Sequence, residues 1–328
     1  MIAAFTRHGG NLAQARAIYG YGVGPWLDLS TGINPVSWPG AGEISHDWRA
    51  LPDPDGLAAL EAAAARHFGV AAQLCCAVPG SDIALRLLGT VLDTPGAYLA
   101  PGYSGHAAAF ADGTPLAGFA ARPKGPLALL LANPNNPDGR VRAPDLLLEW
   151  RDALAERDGW LAVDEAFADA TPAISVARHV RADQRLIVLR SFGKFFGLAG
   201  LRLGFVLAPP PVIAAFRRLL GDWPVSAAAL AIGMAAYADS GWIARARRAL
   251  PGRAAALDAV LRACGLDPQG VCPHFRLIDS ERAGALFVRA ARHGILTRPF
   301  DAAPRWLRLG VPADEGDLAR LHRALTDG

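Results

Sequence analysis

Of the 33 basic residues in this chain only two are lysines, Lys124 and Lys194. Lys194 stands among glycines and apolar side chains in S-F-G-K-F-F-G-L-A-G-L-R-L-G, Ser191 to Gly204. A lysine in apolar, electropositive surroundings loses proton affinity, and the neutral amine can form a Schiff base with an aldehyde. Arginine cannot do this, because its guanidinium stays protonated in a protein. Arg202 offers a planar fork suited to a phosphate, and Ser191 a hydroxyl for the same anion. The bland alternative is a snorkelling lysine at a strand end beside a structural arginine.

Three further segments carry the same kind of double reading. V-D-E-A-F (Val163–Phe167) puts Asp164 at the end of an apolar run, where a carboxylate needs a cation, a metal or a protonated ring nitrogen. An internal salt bridge or a capping role would account for it equally. N-P-N-N-P-D-G (Asn133–Gly139) is a rigid turn-rich loop whose amides, Asn136 among them, can donate to a ligand oxygen; turn chemistry alone also explains it. P-G-S-D (Pro79–Asp82) opens a helical stretch, so Gly80, Ser81 and Asp82 form either an anion site or an ordinary N-cap.

These segments need a scaffold that brings strand ends together. Short apolar runs at 97–100, 127–132, 160–165, 186–190 and 204–208, flanked by Pro, Gly or Asn, read as strands buried on both faces. Helical stretches at 81–92 and 143–157 lie between them, which argues a doubly wound, mostly parallel sheet. From about Ser226 the texture changes to an Ala/Arg-rich helical region over 225–264, with breaks expected near Gly241 and Pro251. An α+β tail follows, with strands at H-F-R-L-I-D and R-W-L-R-L-G and helices over 283–293 and 314–326.

Composition narrows the partners. With 52% hydrophobic and 19% charged residues the chain has ample material for a packed core, and its length favours a large domain plus a smaller one. A net charge of +3, with no basic stripe interleaved with aromatics, argues against nucleic acid. No signal-peptide pattern opens the chain, and the longest apolar run, from Val225, is too short to span a bilayer, so a cytoplasmic protein without a membrane partner is expected. Cys75, Cys76, Cys264 and Cys272 show no C-x-x-C pairing and read as reduced structural thiols, with no metal site. G-Y-S-G-H (Gly102–His106) approximates a hydrolase nucleophile elbow but ends in His106 where glycine is required. G-Y-G-V-G (Gly20–Gly24) has the wrong spacing for a dinucleotide fingerprint.

Taken together and in order, the four segments resemble the pyridoxal-phosphate enzymes of the aspartate-aminotransferase fold, over roughly Asp28 to Gly310. The resemblance implies an α/β protein, with a large domain whose mostly parallel sheet is flanked by helices and a small α+β domain. It implies an N-terminal arm over residues 1–40, a large cofactor domain over 41–225, and a long helix with the small domain over 226–328. It makes Lys194 the Schiff-base lysine, Asp164 the partner of the pyridine nitrogen, and Asn136 a donor to the phenolic oxygen. Tyr103 would stack on the ring, and Gly80, Ser81, Asp82, Ser191 and Arg202 would hold the phosphate. A homodimer is implied as well.

Within that fold the chain is similar to histidinol-phosphate aminotransferases and to the threonine-phosphate decarboxylases of cobalamin biosynthesis. H-G-G-N (His8–Asn11) and L-D-L-S-T-G-I-N-P (Leu27–Pro35) resemble the decarboxylases' opening, and D-W-P-V (Asp222–Val225) a further segment of theirs. T-R-P-F and W-L-R-L-G supply Arg298 and Arg308, matched to a substrate bearing a carboxylate and a phosphate. His8, Gly9, Gly32 and Asn136 complete the implied substrate contacts. The expected reaction is decarboxylation of L-threonine O-3-phosphate to (R)-1-amino-2-propanol O-2-phosphate; a phosphorylated substrate's transamination is the alternative. Four departures stand out: Leu51 and Phe167 where tyrosine is usual, Gly32 where asparagine is common, and Gly193 where a hydroxyl residue often precedes the lysine. His46, His67, His179, His274 and His293 read as surface or helix-end residues.

Overall fold

A computed structural model describes residues 2–20, 24–119 and 125–326. It divides into two compact units, one of Met1–Val36, Pro137–Arg140 and Arg247–Gly328, the other of Ser37–Asn136 and Val141–Ala246. The smaller unit opens with α1 (Leu12–Tyr19) and β1 (Leu27–Asp28). The larger unit runs through α2 (Pro54–Phe68), β2 (Cys75–Val78), α3 (Ser81–Leu92), β3 (Gly96–Leu99), β4 (Thr114–Leu116) and β5 (Ala128–Ala132). It continues with α4 (Pro144–Ala155), β6 (Trp160–Asp164), β7 (Leu186–Ser191), α5 (Phe192–Phe195), β8 (Gly204–Leu207), α6 (Pro210–Leu220), α7 (Ala227–Ala238) and the start of α8 (Ser240–Ala263). The smaller unit resumes with β9 (Pro268–Gln269), β10 (Phe275–Asp279), α9 (Ala283–Arg292), β11 (Ile295–Leu296), β12 (Arg298–Pro299), β13 (Trp306–Gly310) and α10 (Glu315–Thr326).

The larger unit is built on a seven-stranded sheet in the order β2-β8-β7-β6-β5-β3-β4. The pairs from β7 to β4 are parallel, whereas β8 is antiparallel to both β7 and β2. Strands β2, β5 and β8 are continuous apolar runs, and β7 is apolar from Leu186 to Leu189, because both faces are covered. On one face, Leu85 and Leu88 of α3 and Ile213 and Phe216 of α6 join Cys76, Leu130, Ile187 and Val206 in one core cluster. Phe205, whose side chain must point to the opposite face from Val206, meets Phe68 of α2 with ring centroids 5.8 Å apart. Truncating a side chain such as the fully buried Phe216 to alanine removes about 3–5 kcal/mol.

This topology decides where the chemistry sits. The carboxyl ends of β2, β3, β5, β6 and β7 lie along one edge of the sheet, and β8, running the other way, begins at that edge. Gly204 accordingly pairs with Val78 on one side and Ser191 on the other. The loops carrying Gly80, Tyr103, Asn136, Asp164, Lys194 and Arg202 therefore leave the sheet at the same end, where open α/β sheets bind ligands.

In the smaller unit, β12, β13, β10 and β9 form a four-stranded antiparallel sheet, and β1 pairs with β11 in parallel. The expected interruption at Pro251 does not occur. Pro251 lies inside α8, where it forgoes one hydrogen bond, and the apolar series Ala246, Leu250, Ala254, Leu257 and Leu261 stays buried through it. The break expected near Gly241 does occur, at Asp239, whose side chain accepts from the Trp242 amide at 2.8 Å and caps the new helix. No single described helix is long and apolar enough to cross a membrane. Lys124 and most of G-Y-G-V-G fall outside the described residues.

Candidate active site

In the larger unit, Lys194 sits half-buried in the single turn of α5, directly after the strand that ends in Ser191. Its Nζ lies 5.7 Å from the ring centroid of Phe167, over the ring face. Asp164, the last residue of β6, is buried. Its Oδ1 accepts from the Ala166 amide at 3.1 Å, and its Oδ2 lies 3.2 Å from His106 Nε2. A buried carboxylate at a strand end, held from behind, suits a cationic partner such as a protonated ring nitrogen.

His106 is a residue that sequence reasoning passed over, treating it only as the misplaced end of a serine motif. It is fully buried in the short helical segment Ser104–Ala108, and its Nδ1 has no partner among the described residues. The signal available was its place in the loop after β3, but only the fold shows that this loop brings it to Asp164 at the end of β6. The hydrolase alternative fails on the same geometry. The described non-glycine residues at positive φ are Asp93, Asp158 and Arg202, so Ser104 sits on no strained elbow, and His106 faces a carboxylate.

The anion cradle is built from the start of α3 and the approach to β8. Gly80 is the N-cap of α3, at φ 86° and ψ 146°, and Ser81 and Asp82 present the first amides of the helix. A Cβ on Gly80 would lie 2.5 Å from Arg202 Nη2, so the missing side chain is the space the guanidinium occupies. Arg202 is itself in the left-handed region at φ 54°, and its Nη1 donates to the Ala199 carbonyl at 3.2 Å. The Asp82 carboxylate is engaged elsewhere. It accepts from Tyr103 Oη at 3.1 Å and from Arg86 Nε at 2.9 Å, so Asp82 can serve an anion only through its main chain. Burial, reinforced by Asp82, pushes the Tyr103 phenol up to about 12 and keeps it a proton donor. In the asparagine loop, Asn133 is tied to Arg142 and Ile174, and Asn135 to the Pro101 carbonyl, while Asn136 is half-buried.

In the smaller unit, Arg298 and Arg308 are direct cross-strand partners on β12 and β13, and both are buried. Two like charges set opposite each other disfavour pairing, which an anion between or beside them would relieve. Arg298 donates to the Thr6 and Arg7 carbonyls at 3.0 and 2.7 Å, and Arg308 to the Ser30 carbonyl at 2.7 Å. These bonds bind the arginines to the segments bearing His8, Gly9 and Gly32. Ser30 Oγ accepts from the Gly10 amide at 2.7 Å and donates to Asp28 at 2.5 Å. Gly9 packs so closely that a Cβ would lie 2.4 Å from the Ser30 carbonyl oxygen. His8 is exposed and Gly32 buried.

One histidine expectation needs correction. His274 is fully buried rather than superficial, and His67 turns a nearly buried ring onto Asp169, with Nε2 2.9 Å from Oδ1. A helix-end position, which His67 has, does not preclude burial when a carboxylate waits beneath it. The four cysteines are free.

The constellation in the larger unit offers an amine, a buried carboxylate and a cationic cradle at a helix start. Those are complements to an aldehyde, a protonated ring nitrogen and a phosphate, and the guanidinium lodged where Gly80 lacks a Cβ fits the last of these. Comparison with known proteins agrees. A family model described as aminotransferase class I and II matches residues 118–325. A threonine-phosphate decarboxylase from Sinorhizobium sp is 41% identical over 97% of both chains, and one from Pseudomonas aeruginosa is 40% identical over 97% of this chain and 96% of its own. The crystal structure of a histidinol-phosphate aminotransferase from Sinorhizobium meliloti in complex with pyridoxal-5'-phosphate superposes with a TM-score of 0.84 at 21% identity. It covers 97% of this chain and 94% of that one, and so shares the fold.

Proposed function

Because the chain belongs to the class I and II aminotransferase family, we propose that it is a pyridoxal-phosphate-dependent decarboxylase. Its reaction is the conversion of L-threonine O-3-phosphate to (R)-1-amino-2-propanol O-2-phosphate and CO₂, a step of cobalamin biosynthesis. The observation that carries this reading is the likeness, at 41% and 40% identity over nearly the whole chain, to two threonine-phosphate decarboxylases. Bound pyridoxal phosphate supplies the electron sink that stabilises the carbanion left at Cα when CO₂ departs.

The chain's own residues do the rest. Lys194 Nζ is the attachment point and the proton donor that completes the product at Cα. Asp164, backed by His106, keeps the pyridine nitrogen protonated. Gly80, Ser81 and Asp82 offer main-chain amides, and Ser191 and Arg202 a hydroxyl and a guanidinium, to the cofactor phosphate. Tyr103 would pack against the ring, and Asn136 would donate to its phenolic oxygen. Arg298 and Arg308, with His8, Gly9 and Gly32, hold the substrate's two anionic groups. Anchoring carboxylate and phosphate separately fixes the torsion about Cα, which decides whether CO₂ or a proton leaves. Phe167 lacks the hydroxyl that a tyrosine would direct to the phenolic oxygen.

In this reading the protein is a cytoplasmic homodimer. Buried free Cys75, Cys76 and Cys272 suit a reducing compartment, and the exposed Trp48 and Leu51 suit a subunit interface. Supplying threonine phosphate to the purified enzyme and identifying the products is the test. Formation of CO₂ with aminopropanol phosphate supports it. Turnover of glutamate with imidazole-acetol phosphate, and none of threonine phosphate, would replace it with the aminotransferase reading.

A further inference from the structure

One buried charge network is left unused by this account. Arg190, next to Ser191 on β7, is 3% exposed. Its Nη1 donates to Glu165 Oε2 at 2.5 Å and its Nη2 to Asp169 Oδ1 at 2.6 Å. Glu165 also accepts from Ser175 Oγ at 2.5 Å and from the Val176 amide at 2.7 Å. The Phe68 ring covers the guanidinium, 4.6 Å from its centroid. Core cement alone could take this form. Its place in the chain says more: Glu165 and Asp169 are the two ends of the segment E-A-F-A-D, whose middle residue is Phe167. That ring is the one 5.7 Å from Lys194 Nζ. One planar fork therefore clasps both ends of the segment that carries the ring. It also belongs to the strand that leads directly into the amine.

We infer that Phe167 seats the Lys194 amine on its ring face, and that Arg190 is the positioning residue that fixes this seat by clasping Glu165 and Asp169. The ring's negative face stabilises the amine's protonated form through a cation–π contact, so the seat holds a proton at Nζ and centres the amine. Other described ionisable groups at this end of the sheet include Asp164 with His106, Asp82 with Tyr103 and Arg86, and Arg202. The consequence for catalysis rests on Lys194 being the cofactor's attachment point; the test does not.

The scarcity of lysine makes the test direct. Reductive methylation of the full-length, cofactor-free protein with ¹³C-formaldehyde labels Lys124, Lys194 and the N-terminal amine alone, and the Lys194 resonance is the one missing from Lys194→Ala. Its titration midpoint is read by NMR. Phe167→Leu keeps an apolar contact but loses the ring face, and should lower the midpoint by about 0.5 pH unit, the worth of a partly solvated cation–π contact. Arg190→Lys keeps the charge but cannot reach both carboxylates, and should lower it by a similar amount. The double variant should move it no further. Should Arg190→Lys fail to fold, Ser175→Ala, which removes a neutral hydroxyl from Glu165, should shift the midpoint in the same direction. An unmoved midpoint in Phe167→Leu would abolish the seat. An unmoved midpoint in Arg190→Lys, or additive shifts in the double variant, would reduce Arg190 to a structural charge. Threonine phosphate turnover, measured separately, reports on the proposed function and not on this seat.

Discussion

Gly80→Ala puts the anion cradle under the sharpest strain. Gly80 has φ 86° and ψ 146°, a region that side-chain-bearing residues enter at about 1–3 kcal/mol. The new Cβ would also stand 2.5 Å from Arg202 Nη2 and 3.1 Å from Cζ. The clash falls on the far end of a flexible side chain, so the guanidinium, not the backbone, gives way. A displaced Arg202 would lose the proposed charge-assisted hydrogen bond to the cofactor phosphate, worth about 1.5–3 kcal/mol. At 1.4 kcal/mol per tenfold, the dissociation constant for pyridoxal phosphate should rise roughly 10- to 150-fold. Absorbance titration of the cofactor-free protein measures this, and thermal unfolding measures the strain separately. Arg202→Ala should reproduce the affinity loss without the strain. If Gly80→Ala melts earlier yet binds pyridoxal phosphate within twofold of the parent, Arg202 is no phosphate ligand and the cradle is only a helix start.

Lys194→Ala should abolish the visible absorbance of lysine-linked pyridoxal phosphate; a surviving band would move the attachment to Lys124, the one other ε-amine. Arg298→Gln and Arg308→Gln should each raise KM for threonine phosphate roughly 10- to 100-fold. Inhibition by the carboxylate-free product should weaken in only one of the two, and equal weakening in both would deny them separate anions. Asp169 gives a pH signature. Burial acts to raise its carboxyl, but Arg190 and His67 outweigh this and hold it below the ordinary 3.8. A depressed carboxylate contributes stability that is present above its unfolded value and lost as pH falls toward its folded one. Denaturant midpoints should therefore fall below about pH 4, and Asp169→Asn should flatten that slope while costing about 3–5 kcal/mol. An unchanged slope would contradict the assignment.

The sheet, and the gathering of the candidate site residues at its strand ends, were legible because local chemistry and fold agree there. Continuous apolar runs ending in Asp164 or Ser191 declare both a buried strand and the polar group at its end. The small strands β1, β9, β11 and β12 span only two residues each and carry no periodicity to detect. Pro251 misled because a buried helical face outweighs one lost hydrogen bond. His106 and the Arg190 clasp escaped for another reason. Their partners are 58 residues away in one case and 25 and 21 in the other, and only strand order brings them together. Asp82 was legible as part of a helix start, but its carboxylate's commitment to Tyr103 and Arg86 was not.

The central claim is that a carboxylate, and not a proton, leaves Cα. Threonine phosphate deuterated at Cα and ¹³C-labelled at its carboxyl group decides it in one mass measurement. The account predicts ¹³CO₂ and an aminopropanol phosphate that retains the deuterium at C1, joined by one proton from solvent. Deuterium released to water, with the ¹³C retained in a keto acid, would contradict it.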